Sequence, residues 1–243
     1  MKTLVLTGTG INCATETAWA IREVGGNADI VHIHTLQEQP SLLHKYQCFV
    51  LPGGFSFGDQ LGSGQILATQ IKINLWEHIQ KFIEEHGSIL GICNGFQVLC
   101  KLGFFAPTKN EHSLIALDKN SHGKFWNTWT TLECNPQSPC IWTKNMHNIE
   151  LPIRHAEGKL VLHPTTNNIF PYAPEQIVLR YSRDINGSHD RIAGICDPTG
   201  RIFGLMPHPE GYIYQATHPK KALHPFDTGD GFQLFWNCVE YYR

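Results

Sequence analysis

Short apolar runs alternate with amphipathic stretches along the first half of the chain, and the spacing predicts strand followed by helix, repeated. Thr3 to Thr7 reads as a strand and Gly8 to Cys13 as the turn that leaves it. Ala14 to Val24 has a helical period and runs into Gly25-Gly26, a pair suited to ending a helix. Asp29 to Ile33 and Cys48 to Leu51 predict the next two strands, the latter entering Pro52-Gly-Gly-Phe-Ser-Phe-Gly-Asp59. Helical segments at Gln65 to Ile71 and Leu75 to Glu85 precede Ser88 to Ile92, a short run rich in Ile and Leu that suits a central parallel strand. Phe96, Val98, Leu99 and Leu102 then mark an amphipathic helix.

The second half changes rhythm. Ser113 to Leu117 and Lys124 to Glu133 alternate as antiparallel strands do, and the chain is then broken repeatedly by Asn135-Pro136, Ser138-Pro139, His163-Pro164, Pro171 and Pro174. Ile177 to Tyr181, Ile192 to Cys196 and Arg201 to Met206 are further strands, the last delivering Pro207-His-Pro-Glu210. A helix from Gly231 to Tyr242 closes the chain. The expected fold is α/β: a flavodoxin-like, doubly wound, mostly parallel sheet with helices on both faces. No repeat, low-complexity tract or linker interrupts residues 1–243, so a single domain is expected.

Composition narrows the function classes. A net charge of -2 over 243 residues gives no electrostatic reason to expect nucleic acid or an anionic membrane as partner. No run approaches the roughly 18 apolar residues of a membrane span, and the first residues read as a strand, not a signal peptide. A cytoplasmic location is the expectation. The eight cysteines include no C-x-x-C, so no zinc or redox motif announces itself, and reduced thiols are expected.

One cysteine stands apart. Gly91 and Gly95 flank Cys93 two residues away on either side, between a predicted strand and a predicted helix. Small neighbours permit a tight turn that presents the side chain between them, as in the G-x-S-x-G elbow with sulfur replacing oxygen. The helix N-terminus behind it favours a thiolate nucleophile. His208 and Glu210, two apart in an extended segment, supply a base and a carboxylate to orient it. The glycine pair Gly53-Gly54, after another strand, and the backbone N–H of Asn94 offer donors for an oxyanion. Taken singly, each motif also has a plain structural reading: a turn with a buried thiol, a solvated surface pair, a simple glycine turn. Cys13 reads as a helix-start residue and the other six cysteines as core filler. His208 and Glu210 could touch a metal, but no third ligand lies at a useful spacing, so none is expected. The joint placement of all three loops after strands favours catalysis.

Together these stretches resemble the class I glutamine amidotransferases. Leu51-Pro-Gly-Gly-Phe-Ser-Phe-Gly-Asp59 with Cys93-Asn-Gly-Phe-Gln97 is similar to the branch that serves phosphoribosylformylglycinamidine synthase in purine biosynthesis, supported by Gly10-Ile-Asn-Cys13, Asn186-Gly-Ser188 and Gly204-Leu-Met-Pro-His-Pro-Glu210. The resemblance runs nearly end to end. It implies that Cys93 attacks the side-chain amide of L-glutamine, with His208 as acid and base, Glu210 orienting it, and Gly53, Gly54 and Asn94 forming the oxyanion hole. Phe55, Gln97 and His155 are the implied substrate-binding positions. The resemblance further implies a large synthetase subunit as partner, a small accessory subunit beside it, and ATP and Mg²⁺ bound by the synthetase, with no cofactor in this chain. Three positions depart from the family pattern: Ala156 replaces a glycine, Gln60 stands where an aromatic is common, and Gly211 follows Glu210 where arginine is usual. The alternatives are another class I amidotransferase, a γ-glutamyl hydrolase on the same fold, or a non-catalytic regulatory subunit.

Overall fold

The computed structural model describes residues 1–105, 113–220 and 227–243. Its strands are β1 (Lys2–Thr7), β2 (Asn27–His32), β3 (Cys48–Leu51), β4 (Ser88–Ile92), β5 (Ile115–Lys119), β6 (Trp126–Cys134), β7 (Asn148–His155), β8 (Glu157–Leu162), β9 (Ile177–Tyr181), β10 (Ile192–Cys196) and β11 (Ile202–Leu205). The helices are α1 (Ala14–Glu23), α2 (Ile33–Glu38), α3 (Gln65–Asn74), α4 (Trp76–Glu84), α5 (Asn94–Leu102) and α6 (Asp230–Tyr241). Nine strands form one sheet in the order β2-β1-β3-β4-β11-β10-β9-β6-β7, and β5 pairs with β8 beside it.

The sheet has two halves of different character. From β2 to β11 every pairing is parallel, in the flavodoxin-like order with β11 as the fifth strand. From β11 to β7 every pairing is antiparallel. Strands β3, β4 and β11 are buried at every position, which is why their sequences are apolar on both faces apart from Ser88, whose hydroxyl pairs with that of Tyr242. Helix α1 packs on α6 and α3 on α5, so helices cover the sheet as two groups. None of the described helices is long and apolar enough to cross a membrane.

Several boundaries differ from the sequence reading. The second strand ends at His32, and Ile33 opens α2, whose first turn is capped by His32 Nδ1 accepting from the His34 N–H at 3.2 Å. Strands β7 and β8 have no counterpart in the hydrophobic pattern. Pro152 lies inside β7, and proline argues against a strand unless that strand lies at an edge. Here it does: among the described residues β7 pairs with β6 alone in the large sheet. The Pro152 carbonyl instead accepts the backbone N–H of His208 at 2.8 Å, so this unmatched edge fixes the turn that leaves β11.

Candidate active site

The parallel order brings the ends of β3, β4 and β11 side by side, and the three chemistry-bearing turns leave those ends. Cys93 is the residue between β4 and α5. Its backbone sits at φ 50°, ψ -103°, a conformation that L residues rarely hold and that costs of order 1–3 kcal/mol. Two glycines make the turn fit. A β-carbon on Gly91 would lie 2.7 Å from the Gly95 carbonyl oxygen, and one on Gly95 would collide with the Leu51 carbonyl at the end of β3. The Cys93 thiol is buried and donates to the Arg154 carbonyl at 3.8 Å.

His208 and Glu210 lie on the turn after β11, both almost fully buried. His208 Nδ1–H donates to Glu210 Oε1 at 2.6 Å, which fixes the ring and leaves Nε2 as its other face. Nε2 has no partner of hydrogen-bonding geometry among the described residues, whereas the Cys93 and Cys13 thiols both act on the ring at longer range. Burial opposes charge on this imidazole. The Glu210 carboxylate, then Cys93 and the two thiol contacts, outweigh that and hold His208 well above the usual histidine range.

The turn after β3 closes the opposite wall. A β-carbon on Gly54 would stand 2.5 Å from the Gly10 carbonyl, so that position requires glycine, and one on Gly53 would stand 2.7 Å from His208 Cε1 and push the ring aside. The loop is stitched to the β1 turn by Cys13 N–H to the Gly53 carbonyl at 3.2 Å and Phe55 N–H to the Gly10 carbonyl at 2.7 Å. It is stitched to α5 by the Asn94 side chain, whose Oδ1 accepts the Ser56 N–H at 3.1 Å and whose Nδ2 donates to Asp59 Oδ1 at 3.2 Å. The Asn94 backbone N–H opens α5, where such groups lack helical acceptors.

A cavity of about 220 Å³ joins these elements, lined among others by Cys93, His208, Gly54, Phe55, Cys13 and Arg154. A second cavity, about 740 Å³ and lined by residues of the 135–147 segment and α6, shares no residue with it. Of the three implied substrate positions, only Phe55 lines the smaller cavity, with its ring half exposed. Gln97 is buried, and its amide is engaged within the protein: Oε1 accepts from Asn94 Nδ2 at 2.9 Å, and Nε2 donates to the Glu157 carbonyl at 2.6 Å. His155 points away from the cavity wall into a buried contact with Asn120 Oδ1 at 3.0 Å. Burial, with the nearby His208 and His122 rings, lowers its pKa to about 4. Its neighbour Arg154 lines the cavity instead, as does Phe125. The sequence reading singled out neither. Strand alternation would have exchanged His155 for Arg154 had β7 been recognised. Ala156, at the β7–β8 turn, contributes its carbonyl to the Asn120 N–H at 2.8 Å.

Comparison with known proteins decides the family. Residues 1–242 match the CobB/CobQ-like glutamine amidotransferase domain. The chain is 38% identical over 250 residues to phosphoribosylformylglycinamidine synthase subunit PurQ of Dehalococcoides mccartyi, covering 100% of this chain and 98% of that one. It is also 38% identical over 266 residues to the PurQ subunit of Methanococcus maripaludis, covering 100% and 97%. The chain belongs to the PurQ family of glutamine amidotransferases.

A chain in the solved structure of PurLQS from Thermotoga maritima matches this PurQ-family fold with a TM-score of 0.79 and 31% identity, covering 100% of this chain and 99% of that chain. A glutamine amidotransferase from the same organism, 15% identical with a TM-score of 0.55, shares the fold alone. The PurQ membership makes this chain an enzyme subunit of the glutaminase type and identifies its α/β fold as that of the class I amidotransferases.

Proposed function

We propose that this chain hydrolyses L-glutamine at Cys93 and passes the ammonia to a synthetase subunit of the PurL kind for formylglycinamidine ribonucleotide synthesis. The Cys93 sulfur attacks the side-chain amide carbon while His208 takes the thiol proton and then gives it to the departing nitrogen. Ammonia leaves and a γ-glutamyl thioester remains on Cys93. Water, deprotonated by the same imidazole, attacks the thioester; glutamate leaves and the thiol is restored. Glu210 positions the ring and stabilises its charged form throughout. The backbone N–H groups of the Gly53-Gly54 turn and of Asn94 stabilise the developing oxyanion, worth about 10²–10³ in kcat for each donor. Arg154, at the cavity wall, suits the carboxylate of the substrate amino acid.

The observation that carries this reading is the short Nδ1–Oε1 contact of 2.6 Å in a ring that shares one cavity with a strained cysteine. The partner is a PurL-type synthetase with a small accessory subunit, in the cytoplasm, and ATP and Mg²⁺ act on the partner while this chain uses no cofactor. The test is the reconstituted complex carrying Cys93→Ala. Glutamine-dependent synthesis should fall by about 10⁶, judged from nucleophile knockouts elsewhere, while synthesis from added ammonia persists. Retention of glutamine-dependent activity would sink the proposal.

A further inference from the structure

Cys13 reads from sequence as no more than a helix-start residue, and it does serve the start of α1, where its carbonyl accepts the Thr17 N–H at 3.1 Å. The fold gives its thiol a second setting. Cys13 Sγ, a ring nitrogen of His208 and a carboxylate oxygen of Glu210 all lie within 4.8 Å of one another. On these same side chains, His208 Nε2 and Glu210 Oε2 are buried without a hydrogen-bond partner among the described residues. Gly53 keeps the space between open, since a β-carbon there would lie 3.2 Å from Cys13 Sγ and 2.7 Å from His208 Cε1. Sulfur, imidazole and carboxylate are the donor types that zinc takes, and His208 also interacts with the Cys93 thiol in the same cavity. Zinc bonds of about 2.0–2.3 Å separate neighbouring ligand atoms by roughly 3.3–3.7 Å, so binding draws the Cys13 sulfur inward and exchanges the 2.6 Å His208–Glu210 hydrogen bond for metal bonds. The sequence shows no such site because Cys13 and His208 meet only through the pairing of β1, β3, β4 and β11.

We propose that Cys13, His208 and Glu210 form a reversible zinc site, with Cys93 available as a fourth ligand, and that zinc stops glutamine hydrolysis by occupying the imidazole. Binding forms zinc bonds to the Cys13 sulfur, a His208 ring nitrogen and a Glu210 oxygen; the Cys13 S–H bond breaks, and its proton passes to solvent together with the proton that a charged His208 ring gives up at the ligating nitrogen. Magnesium, a hard ion that prefers oxygen ligands and keeps its waters, does not substitute. The inhibitory half of the inference rests on the catalytic reading above, whereas the metal-binding half does not.

The experiment titrates the full-length chain with Co²⁺, then displaces it with Zn²⁺, following the thiolate-to-metal charge-transfer absorption. One Co²⁺ per chain with a charge-transfer band is expected, and Zn²⁺ should displace it. Cys13→Ser and Cys13→Ala should each weaken Zn²⁺ binding by about tenfold or more, since even outer-shell losses at zinc sites cost that much. Cys93→Ala should retain a band from the Cys13 thiolate. In the complex with its synthetase, Zn²⁺ should inhibit glutamine-dependent turnover, a chelator should restore it, and ammonia-dependent turnover should be unaffected. Absence of the band in the unaltered chain overturns the site, as does equal Zn²⁺ affinity in both folded Cys13 variants. Metal binding that depends on Cys93 but not on Cys13 would assign the ion to the nucleophile alone and defeat the proposal. Binding without inhibition would overturn only its functional half.

Discussion

Cys93 occupies a backbone conformation that its own side chain disfavours, and the flanking glycines Gly91 and Gly95 leave the room that permits it. Gly53 has the same kind of necessity from a different cause: the His208 ring stands where its β-carbon would be. Gly53→Ala should therefore leave the fold in place, at a stability cost of about 1–3 kcal/mol. It should displace the imidazole enough to lower glutamine-dependent kcat by about 10² or more. Steady-state rates of the complex with glutamine and with ammonia check this. Equal losses with both nitrogen sources would show that the substitution damages assembly and not the ring. These residues were legible from sequence because glycine spacing around a cysteine and a His-x-Glu after a strand are local signals. Arg154 was not, because its meaning depends on which face of an unrecognised strand it occupies.

At the scale of elements, the site is built by loops that are tied to one another and not merely to their own strands. Helix α5 is buried along nearly its whole length and carries Asn94 and Gln97 inside, where polar groups must find partners. Asn94 holds the β3 loop, and Gln97 holds the β7–β8 turn through the Glu157 carbonyl. Gln97→Leu leaves that carbonyl and an Asn94 N–H unpaired, and should cost about 1–3 kcal/mol. Because the released turn adjoins Arg154, KM for glutamine should rise more than kcat falls. Chemical denaturation with initial-rate kinetics measures both, and an unchanged unfolding midpoint would refute the tie. The parallel half of the sheet could be read from sequence since its inner strands are short, largely apolar runs. The β7–β8 pair could not: Pro152 interrupts one strand, and the other, Glu157 to Leu162, is only partly covered.

Across the whole molecule, stability should depend on pH through a residue that does no chemistry. His155 is almost wholly enclosed and has a pKa of about 4, against about 6.5 when unfolded. Below pH 6.5 the unfolded chain therefore gains a proton that the folded chain refuses, and stability falls as pH drops toward 4, by about 3 kcal/mol from this residue. Above pH 6.5 both states are neutral at this position and the contribution is flat. Urea unfolding at pH 7 and pH 4.5 should show a steeper loss for the unaltered chain than for His155→Gln; parallel losses would contradict the assignment. That distribution of roles, with one buried histidine kept neutral for structure and another whose protonated form a neighbouring carboxylate favours, is a property of the folded molecule that fourteen histidines in a sequence do not disclose.

The most direct test is to quench the complex with acid during turnover of glutamine and search the chain by mass spectrometry for a γ-glutamyl group. The group is expected on Cys93 of the unaltered chain, with its loss in Cys93→Ala and its absence from both chains when ammonia is the sole nitrogen source. A γ-glutamyl group on another residue, or rapid glutamine use with no thioester on Cys93 under any quench, would contradict the thioester mechanism.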